Sequence, residues 1–311
     1  MPTASERAAA TTTDGPVVVA GDVMTDVVAP DAEALGGPAP LSTRQGGSGA
    51  NVAHWLAALH VPVAFVGCVG EDPFGVEATA VLQVAGVDVH VGSDPRLPTG
   101  NRVVLTGPDG APVVMPDAGA NSALSPDVLP LALVRSARWL HVSGNTVLNP
   151  GSRDAALVAL QAARAAGVPT SIEGAGPAPL EAVGRRQFVQ LTEGVDLLFC
   201  TLDEAEVLCD SRDPSVVAAR LTQAYPQLVL DLGLDGAWWA SADDVGGCRV
   251  SGARSAGPVV DVTGSRDAFV AGYLAATTDR PGPAVDVVEQ ALTAGCRLAA
   301  QVMARPGSRP T

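Results

Sequence analysis

The stretch GPVVDVTGSRDAFVAGYLAA, residues 257–276, changes pattern around one acidic residue. A β-branched run, Val259–Val262, is followed by an apolar helical segment that begins at Ala268. The pattern predicts a strand that turns into a helix, with residues 265–267 at the turn. Ligands of open α/β sheets bind beyond the carboxyl ends of strands, where helix N-termini point. Asp267 is therefore either a cap of the helix dipole or a base beside an anion hole.

Strand and helix patterns alternate along most of the chain. VPVAFVGCVG is typical of a buried strand, PFGVEATAVLQVAG of a helix, and SRDAALVALQAARAAG of a helix with a serine cap and a glycine stop. This alternation predicts an α/β fold, a doubly wound and mainly parallel sheet flanked by helices. NRVVLTGPDGAPVVMP breaks the rhythm and predicts a hairpin, which would project from the sheet and cover a site.

Composition narrows the classes of function. The 311 residues carry a formal net charge of −14, which argues against nucleic acid or an anionic membrane as a partner. The sequence contains no lysine, which excludes Schiff-base chemistry and a Walker-type phosphate lysine. Its 5 cysteines are widely spaced without a CxxC pair, so we expect free thiols in a reducing cytosol. Because no apolar run is long enough to span a bilayer, we expect a cytoplasmic protein. We also expect residues 1–14 to form a disordered tail.

A second glycine-rich turn precedes a helix in RQGGSGANVAHWLAALH, residues 44–60. Gly46, Gly47 and Gly49 let the backbone approach a ligand closely, and Asn51 places an amide in the first turn of a helix that starts near residue 50. The spacing matches neither GxGxxG nor GxxxxGK[ST], so the dinucleotide and P-loop hypotheses fail.

Four stretches in this order carry a family resemblance: GDVMTDVVA, GGSGANVA, PTGNRVVL with GAN, and DVTGSRDAF. The chain resembles the ribokinase-like (PfkB) carbohydrate kinase family over nearly its whole length. The resemblance implies a kinase domain over residues 15–311, with a small β-sheet lid from about 22–45 and 88–120 that could form a homodimer contact. It also implies transfer of the ATP γ-phosphoryl group to a hydroxymethyl group of a small sugar, sugar phosphate or nucleoside.

The resemblance assigns the reacting centre. Asp267 resembles the catalytic base that deprotonates the attacking hydroxyl. Gly264, Ser265 and Arg266 fall on the anion hole, where the family usually has Gly-Ala-Gly.

The same resemblance assigns the sugar side. Asp26, Gly47 and Asn51 match positions that hold sugar hydroxyls. Ser48, between them, replaces a lysine of several ribose kinases, and Met24 replaces an asparagine.

The resemblance also assigns the nucleotide and ion sites. Glu204 matches an acid that organises magnesium through water, and Thr201 replaces the usual asparagine before it. Gly233 matches a glycine near the nucleotide and is preceded by Asp231. A further implied site, for a monovalent cation such as K⁺, involves the matching loop positions Asp261 and Thr263.

Three departures fall on the phosphate side: Arg266, Thr201 and Asp231. Arg266 either fills the phosphate space under backbone strain or supplies charge to the transferred phosphoryl group. A carboxylate at Asp231 would repel a triphosphate. The leading hypothesis is an ATP- and magnesium-dependent kinase. The alternatives are a catalytically impaired relative that binds a sugar or nucleoside, and an enzyme that uses another phosphoryl donor.

Overall fold

The computed structural model describes residues 14–29, 41–106, 112–253, 258–277, 284–305 and 307–310, so nearly all of the predicted tail lies outside the described residues. None of the described helices is long and apolar enough to cross a membrane. The strands are β1 (Val17–Ala20), β2 (Met24–Ala29), β3 (Ser42–Gly46), β4 (Val63–Gly70), β5 (Asp88–Asp94), β6 (Asn101–Thr106), β7 (Pro112–Asp117), β8 (Trp139–Val142), β9 (Thr170–Glu173), β10 (Leu197–Thr201), β11 (Gln227–Asp231), β12 (Ala237–Ser241) and β13 (Cys248–Val250). The α-helices are α1 (Ser48–Ala58), α2 (Pro73–Val84), α3 (Leu131–Ser136), α4 (Gly144–Leu148), α5 (Arg153–Ala165), α6 (Pro177–Val183), α7 (Arg185–Leu191), α8 (Leu202–Cys209), α9 (Pro214–Leu221), α10 (Ser265–Thr277) and α11 (Val285–Met303).

The large sheet has 9 strands in the order β13-β12-β11-β10-β9-β8-β1-β4-β5. Every pair from β11 to β5 is parallel, while β12 and β13 continue the sheet antiparallel. The strand order changes direction at β1. Because the neighbouring strands are parallel, the carboxyl ends of β1, β8, β9 and β10 lie side by side. This arrangement confirms the predicted doubly wound, mainly parallel α/β sheet.

A separate 4-stranded sheet has the order β3-β2-β6-β7, and β6 and β7 form the predicted antiparallel hairpin. The predicted lid boundaries of 22–45 and 88–120 also include β5, but β5 pairs in parallel with β4 at the edge of the large sheet. The pattern VDVHVG does not distinguish an edge strand of one sheet from a strand of the other. The second segment of the small sheet therefore begins later than predicted, at β6.

Two apolar clusters cover the two faces of the large sheet. One cluster packs α3 to α9 on one face, and the other packs α1, α2, α10 and α11 on the opposite face. The strand β1 is buried on both sides because its four residues are all apolar, as expected for a central parallel strand. Burial on both faces fixes the position of each strand along its own axis. It therefore also fixes the edge of the sheet at which the helices begin.

The segment before α10 is not a strand, contrary to the sequence prediction. Val259, Val260 and Val262 are each about half exposed, and the residues from 258 to 264 join neither sheet. The N–H of Val260 instead donates to the carbonyl of Met303 at the end of α11, at 2.8 Å. The β-branched pattern was misleading here because tertiary hydrogen bonds to a helix end replace those of a sheet ladder.

The first turn of α1 packs directly on the loop after β1. A Cβ atom built on Gly49 would lie 2.6 Å from the Cα of Gly21, so two glycines meet at this contact. Helix α1 begins at Ser48, two residues earlier than the sequence predicts, and its N-terminal turn lies against the end of β1. The small-residue contact therefore sets how closely α1 approaches the sheet.

We predict that Gly49→Ala lowers the free energy of unfolding by about 1–3 kcal/mol, because the added methyl group must displace backbone. Urea unfolding of the natural and variant proteins measures this difference. Gly92→Ala is the matched control, since its Cβ would meet the nearest atom, in the Val128 side chain, at 3.4 Å. Equal stability of the Gly49 variant and the natural protein would contradict the prediction.

Candidate active site

Polar side chains from several elements converge at the carboxyl ends of the central strands. Asp22 follows β1, Glu173 ends β9, and Glu204 lies in the first turn of α8 after β10. Helices α1 and α10 bring their N-terminal turns to the same edge, with Ser48 on α1 in contact with Asp267 on α10. This is the edge at which open α/β sheets bind ligands.

Asp267 is held by two hydrogen bonds in a buried position. Its side chain is 8% exposed; Oδ1 accepts from Ser48 Oγ at 2.7 Å and Oδ2 accepts from Asn51 Nδ2 at 2.7 Å. Burial raises the pKa of Asp267, while the hydrogen bonds from Asn51 and Ser48 oppose that rise. A carboxylate with a fixed orientation and a raised pKa is suited to accept a proton from a bound hydroxyl.

Ser48 also contacts a second carboxyl group. Its Oγ lies within hydrogen-bond distance of Glu173 Oε1 as well as Asp267 Oδ1. A serine hydroxyl has one proton, so it can donate to only one of the two groups at a time. The other group can complete the contact by donating its own carboxylic proton. Burial raises the pKa of Glu173 to about 8, the Arg266 charge opposes the rise, and Asp267 adds to it, so Glu173 is the group that retains this proton near neutral pH.

The turn at the start of α10 contains the residues that were predicted to form an anion cradle. Gly264 has φ = 75°, in the left-handed region, and a Cβ there would lie 2.3 Å from Ser308 Cβ. Glycine is thus required by both conformation and space. The N–H groups of Arg266 and Asp267 donate to no carbonyl or side chain of the described residues. Two free N–H donors at a helix N-terminus provide a site for negative charge.

The Arg266 side chain points away from this cradle. Its Nη1 lies 2.5 Å from Glu204 Oε1, its Nε lies 3.7 Å from Glu173 Oε2, and its Nη2 donates to the Phe199 carbonyl at 3.3 Å. Glu204 and Glu173 hold the pKa of Arg266 above its ordinary value, against the opposing effect of burial. The guanidinium group is thus engaged by acceptors of the protein.

Glu204 is fully engaged by protein donors. Besides Arg266, it accepts from the N–H of Gly176 at 2.7 Å and from the N–H of Thr201 at 2.9 Å. The Glu204 N–H in turn donates to the Thr201 hydroxyl oxygen at 3.2 Å, which completes a capping box at the start of α8. Thr201, which stands where the family usually has an asparagine, is therefore a helix cap.

A magnesium ion held directly by the protein does not fit these residues. The described part of the chain contains no cluster of three or more acidic, histidine or cysteine side chains arranged as a metal site. The Oε1 atom of Glu204, predicted to organise magnesium through water, already accepts from two donors. Burial favours the neutral form of Glu204, but the Arg266 charge and the hydrogen bonds from Arg266, Thr201 and Gly176 together hold its pKa below the ordinary value, so Glu204 is ionised as the partner of a guanidinium group.

Asp231 and Gly233 lie together at the end of β11. Asp231 Oδ1 accepts from the Gly233 N–H at 2.8 Å, which turns the carboxylate back onto its own loop. Burial raises the pKa of Asp231, and the Gly233 hydrogen bond opposes that rise. Gly233 has φ = 63°, and a Cβ there would meet open space, so the backbone conformation is what requires glycine.

The sugar side contains an ion pair that the sequence analysis misses. Arg102 on β6 donates through Nε to Asp26 Oδ1 at 2.5 Å and through Nη2 to Oδ2 at 2.6 Å. Asp26, predicted to hold sugar hydroxyls, is 3% exposed and is engaged by this bidentate pair. Gly47 has φ = 93° and its Cβ would lie 2.6 Å from the Asp22 carbonyl oxygen, so no side chain fits there.

Asp261 and Thr263, the predicted monovalent-cation positions, lie where α11 ends. Asp261 accepts from the N–H of Thr263 at 2.9 Å and from the N–H of Gly307 at 3.0 Å. Arg44 Nη1 lies 3.4 Å from the same carboxylate, so a positive charge from the chain is already present beside it.

Sequence reasoning also misses three residues that touch the site. Asp22 accepts from the Ser48 N–H at 3.1 Å and from Ser143 Oγ at 2.8 Å, and its position directly after β1 is a signal that could have identified it. Ser308 and Arg309 bond to Asn51 from the end of the chain. Nothing in the final residues PGSRPT distinguishes them from a terminal tail.

The comparison with known families decides the classification. The pfkB family carbohydrate kinase domain matches residues 15–311 of this chain. The chain belongs to the pfkB family of carbohydrate kinases. The predicted family resemblance is thereby confirmed.

Individual relatives agree with the family. An ATP-dependent ribose-1-phosphate kinase from Halopiger xanaduensis is 31% identical over 90% of this chain and 88% of its own length. The ribokinase of Arabidopsis thaliana, solved with ribose and ATP, is 25% identical with a TM-score of 0.77 over 94% of each chain. The adenosine kinase of Sinorhizobium meliloti, at 22% identity, shares the fold with a TM-score of 0.84 over 95% of this chain and 96% of its own.

We predict that Glu173 makes stability depend on pH. The native carboxyl group, with its pKa near 8, keeps a proton that the unfolded chain has released near its ordinary value of 4.5. This stabilising contribution is fully present below the unfolded pKa and is lost as the pH rises through the native pKa. Relative to Glu173→Gln, the natural protein should lose up to about 1.4 kcal/mol of unfolding free energy per pH unit between about pH 5 and 8.

Urea unfolding across this pH range measures the difference, without nucleotide or divalent metal. Glu181→Gln, which removes an exposed glutamate from α6, is the control and should follow the natural protein. Parallel curves for the natural protein and Glu173→Gln would show that Glu173 has no raised pKa.

Proposed function

We propose that this protein transfers the γ-phosphoryl group of ATP to a hydroxymethyl group of a sugar or nucleoside. The observation that supports it most strongly is Asp267, fixed by Ser48 and Asn51 beside free N–H donors at the start of α10. A carboxylate base and an anion cradle in one helical turn are the two parts that phosphoryl transfer to an alcohol needs. The relatives and the family membership support the same reaction.

The chemistry follows from the positions of these groups. Asp267 accepts the proton of the substrate hydroxyl, whose oxygen forms the new bond to the γ-phosphorus while the bond to the leaving ADP breaks. The N–H groups of Arg266 and Asp267 donate to the negative charge on the transferring group. Ser48 and Asn51 keep the base in line, and Glu173 retains its proton, which lowers the negative charge near the phosphates.

The Arg266 geometry favours an active kinase over the impaired alternative. A blocked cradle would require the guanidinium group to occupy the space in front of the N–H donors, and instead it contacts Glu204 and Glu173. Asp231 is turned onto the Gly233 N–H, which reduces the predicted repulsion of a triphosphate. No contact in the described residues favours a donor other than ATP.

The proposal includes further features that the family resemblance implies. The donor would be ATP with magnesium, and a monovalent cation such as K⁺ would lie near Asp261 and Thr263. A homodimer through the small sheet is supported by its edge strand β7, where Val114 and Met115 are 45% and 53% exposed. A cytoplasmic location is supported by five free cysteines.

We predict that Asp267→Asn abolishes turnover while leaving substrate binding nearly intact. The amide keeps the shape of the carboxyl group but cannot accept the proton, so kcat should fall by about 10²–10⁴-fold. ADP release from ATP with magnesium, across a panel of sugars and nucleosides, measures turnover, and calorimetry measures binding. Asp127→Asn, on the exposed side of a short 3₁₀ turn, is the control. Equal loss of binding and turnover in the Asp267 variant would contradict the assigned role.

We predict that Arg266→Met destabilises the protein by about 3–5 kcal/mol, because it leaves the buried Glu204 carboxylate without its cation. Urea unfolding is the measurement, with Arg186→Met, an exposed arginine on α7, as the control. Adding Glu204→Gln to Arg266→Met should recover part of the loss, since one unpaired charge is then removed. Additive effects of the two substitutions would show that the ion pair does not couple them.

A further inference from the structure

The end of the chain forms part of the sugar side of the site. After α11, the Ser308 carbonyl accepts from Trp55 Nε1 at 2.8 Å, and the Ser308 hydroxyl lies 3.3 Å from Asn51 Oδ1. Gly307 is bonded to Asp261, as described above. These contacts fix residues 307–310 between α1 and the start of α10. Arg309, the residue that follows Ser308, is therefore placed by a rigid backbone.

Arg309 is a partly buried cation with one donor group that has no partner among the described residues. Its Nε donates to Asn51 Oδ1 at 2.9 Å and its Nη2 donates to the Gly46 carbonyl at 2.8 Å. Its Nη1 is buried and has no hydrogen-bond partner among the described residues. Both of its partners are neutral. Burial lowers the pKa of Arg309 to about 10, which Asp26 and Asp267 only partly oppose.

The nearby carboxylates are already matched with other groups. Asp26 forms its bidentate pair with Arg102, and Asp267 accepts from Ser48 and Asn51. Asp26 and Asp267 act on both Arg102 and Arg309, so the two guanidinium groups lie near the same pair of carboxylates. Because Arg102 neutralises Asp26, the charge of Arg309 has no carboxylate of its own.

We propose that the substrate carries an anionic group, a phosphate monoester or a carboxylate, and that Arg309 binds this group with Arg102 beside it. The inference rests on the proposed kinase function and specifies the class of its substrate. A neutral sugar would leave the Nη1 donor of Arg309 without a partner, which costs about 1–3 kcal/mol for a buried group. An oxyanion satisfies the donor and balances the charge, and guanidinium groups bind phosphate and carboxylate in a planar, two-point geometry.

The position of the anion follows from the elements that surround Arg309. Gly46 and Arg102 belong to the small sheet, whereas Arg309 lies on the segment that packs against the helices of the large sheet. The anionic group would therefore be held between the two sheets, on the side of Asn51 away from Asp267. If Arg309 served only as a brace, a residue that holds Asn51 in position, its Nε and Nη2 bonds would be explained. The buried third nitrogen without a partner would not be explained.

A matched set of substrates tests this inference: ribose, ribose 1-phosphate and ribonate, which share the terminal hydroxymethyl group and differ in charge. ADP release is measured for the natural protein, for Arg309→Gln and for the control Arg297→Gln, an exposed arginine on α11. The natural protein should prefer one of the two anionic compounds over ribose, and the preferred compound identifies the anion. Arg309→Gln should lower kcat/KM for that compound by about 10- to 100-fold, the value of a charged hydrogen bond, and change ribose by less than about 3-fold.

A second readout separates this inference from the kinase proposal. Calorimetric binding of ribose 1-phosphate and ribonate without ATP should be tight for the natural protein and for Arg297→Gln, weakened in Arg309→Gln, and partly restored in Arg309→Lys. Preference for neutral ribose, together with equal losses on all three substrates in Arg309→Gln, would show that Arg309 is a brace only and would overturn the inference. If no substrate yields ADP, the kinase proposal fails, and the binding data alone decide whether Arg309 holds an anion.

Discussion

The site depends on one partly buried cation, the Arg266 guanidinium group between Glu204 and Glu173. Glu204 and Glu173 are 0% and 1% exposed, and an isolated buried carboxylate is costly unless it is paired or protonated. Glu204 meets this requirement by pairing, and Glu173 by the raised pKa of its carboxyl group. The two glutamates belong to neighbouring strand ends, so the guanidinium group also ties α10 to the central sheet.

A continuous series of contacts runs from this cation to the sugar side. Glu173 contacts Ser48, Ser48 contacts Asp267, and Asp267 contacts Asn51, which accepts from Arg309. Each member is an acceptor or donor for the next, so the orientation of Asp267 is set from both directions. Such networks are worth more than their separate bonds when every member is satisfied. Two atoms of this series have no hydrogen-bond partner among the described residues: Glu173 Oε2 and Arg309 Nη1.

The sequence predicts the fold and about half of the series of contacts that runs from Arg266 to Arg309. Strand and helix alternation predicts the large sheet, and the motif around Asp267 predicts the base and its glycine turn. The valines from 259 to 262 mislead because β-branched residues favour a strand only where a neighbouring strand is available. The role of Arg266 is missed because its position in the motif does not reveal the direction of a long side chain. Arg309 is missed because its contacts depend on where α11 ends, which no local pattern specifies.

Because the sequence contains no lysine, the cations around this site are all arginines and share one chemical property. A buried lysine readily loses its proton, whereas a guanidinium group stays charged even where burial lowers its pKa. The pKa of Arg309 falls to about 10, which still leaves it positive at neutral pH. Arg266, Arg102 and Arg309 therefore present permanent charges to carboxylates whose own protonation varies. Charge changes in this site consequently fall on Glu173 and Asp267, and in the proposed reaction it is Asp267 that accepts a proton.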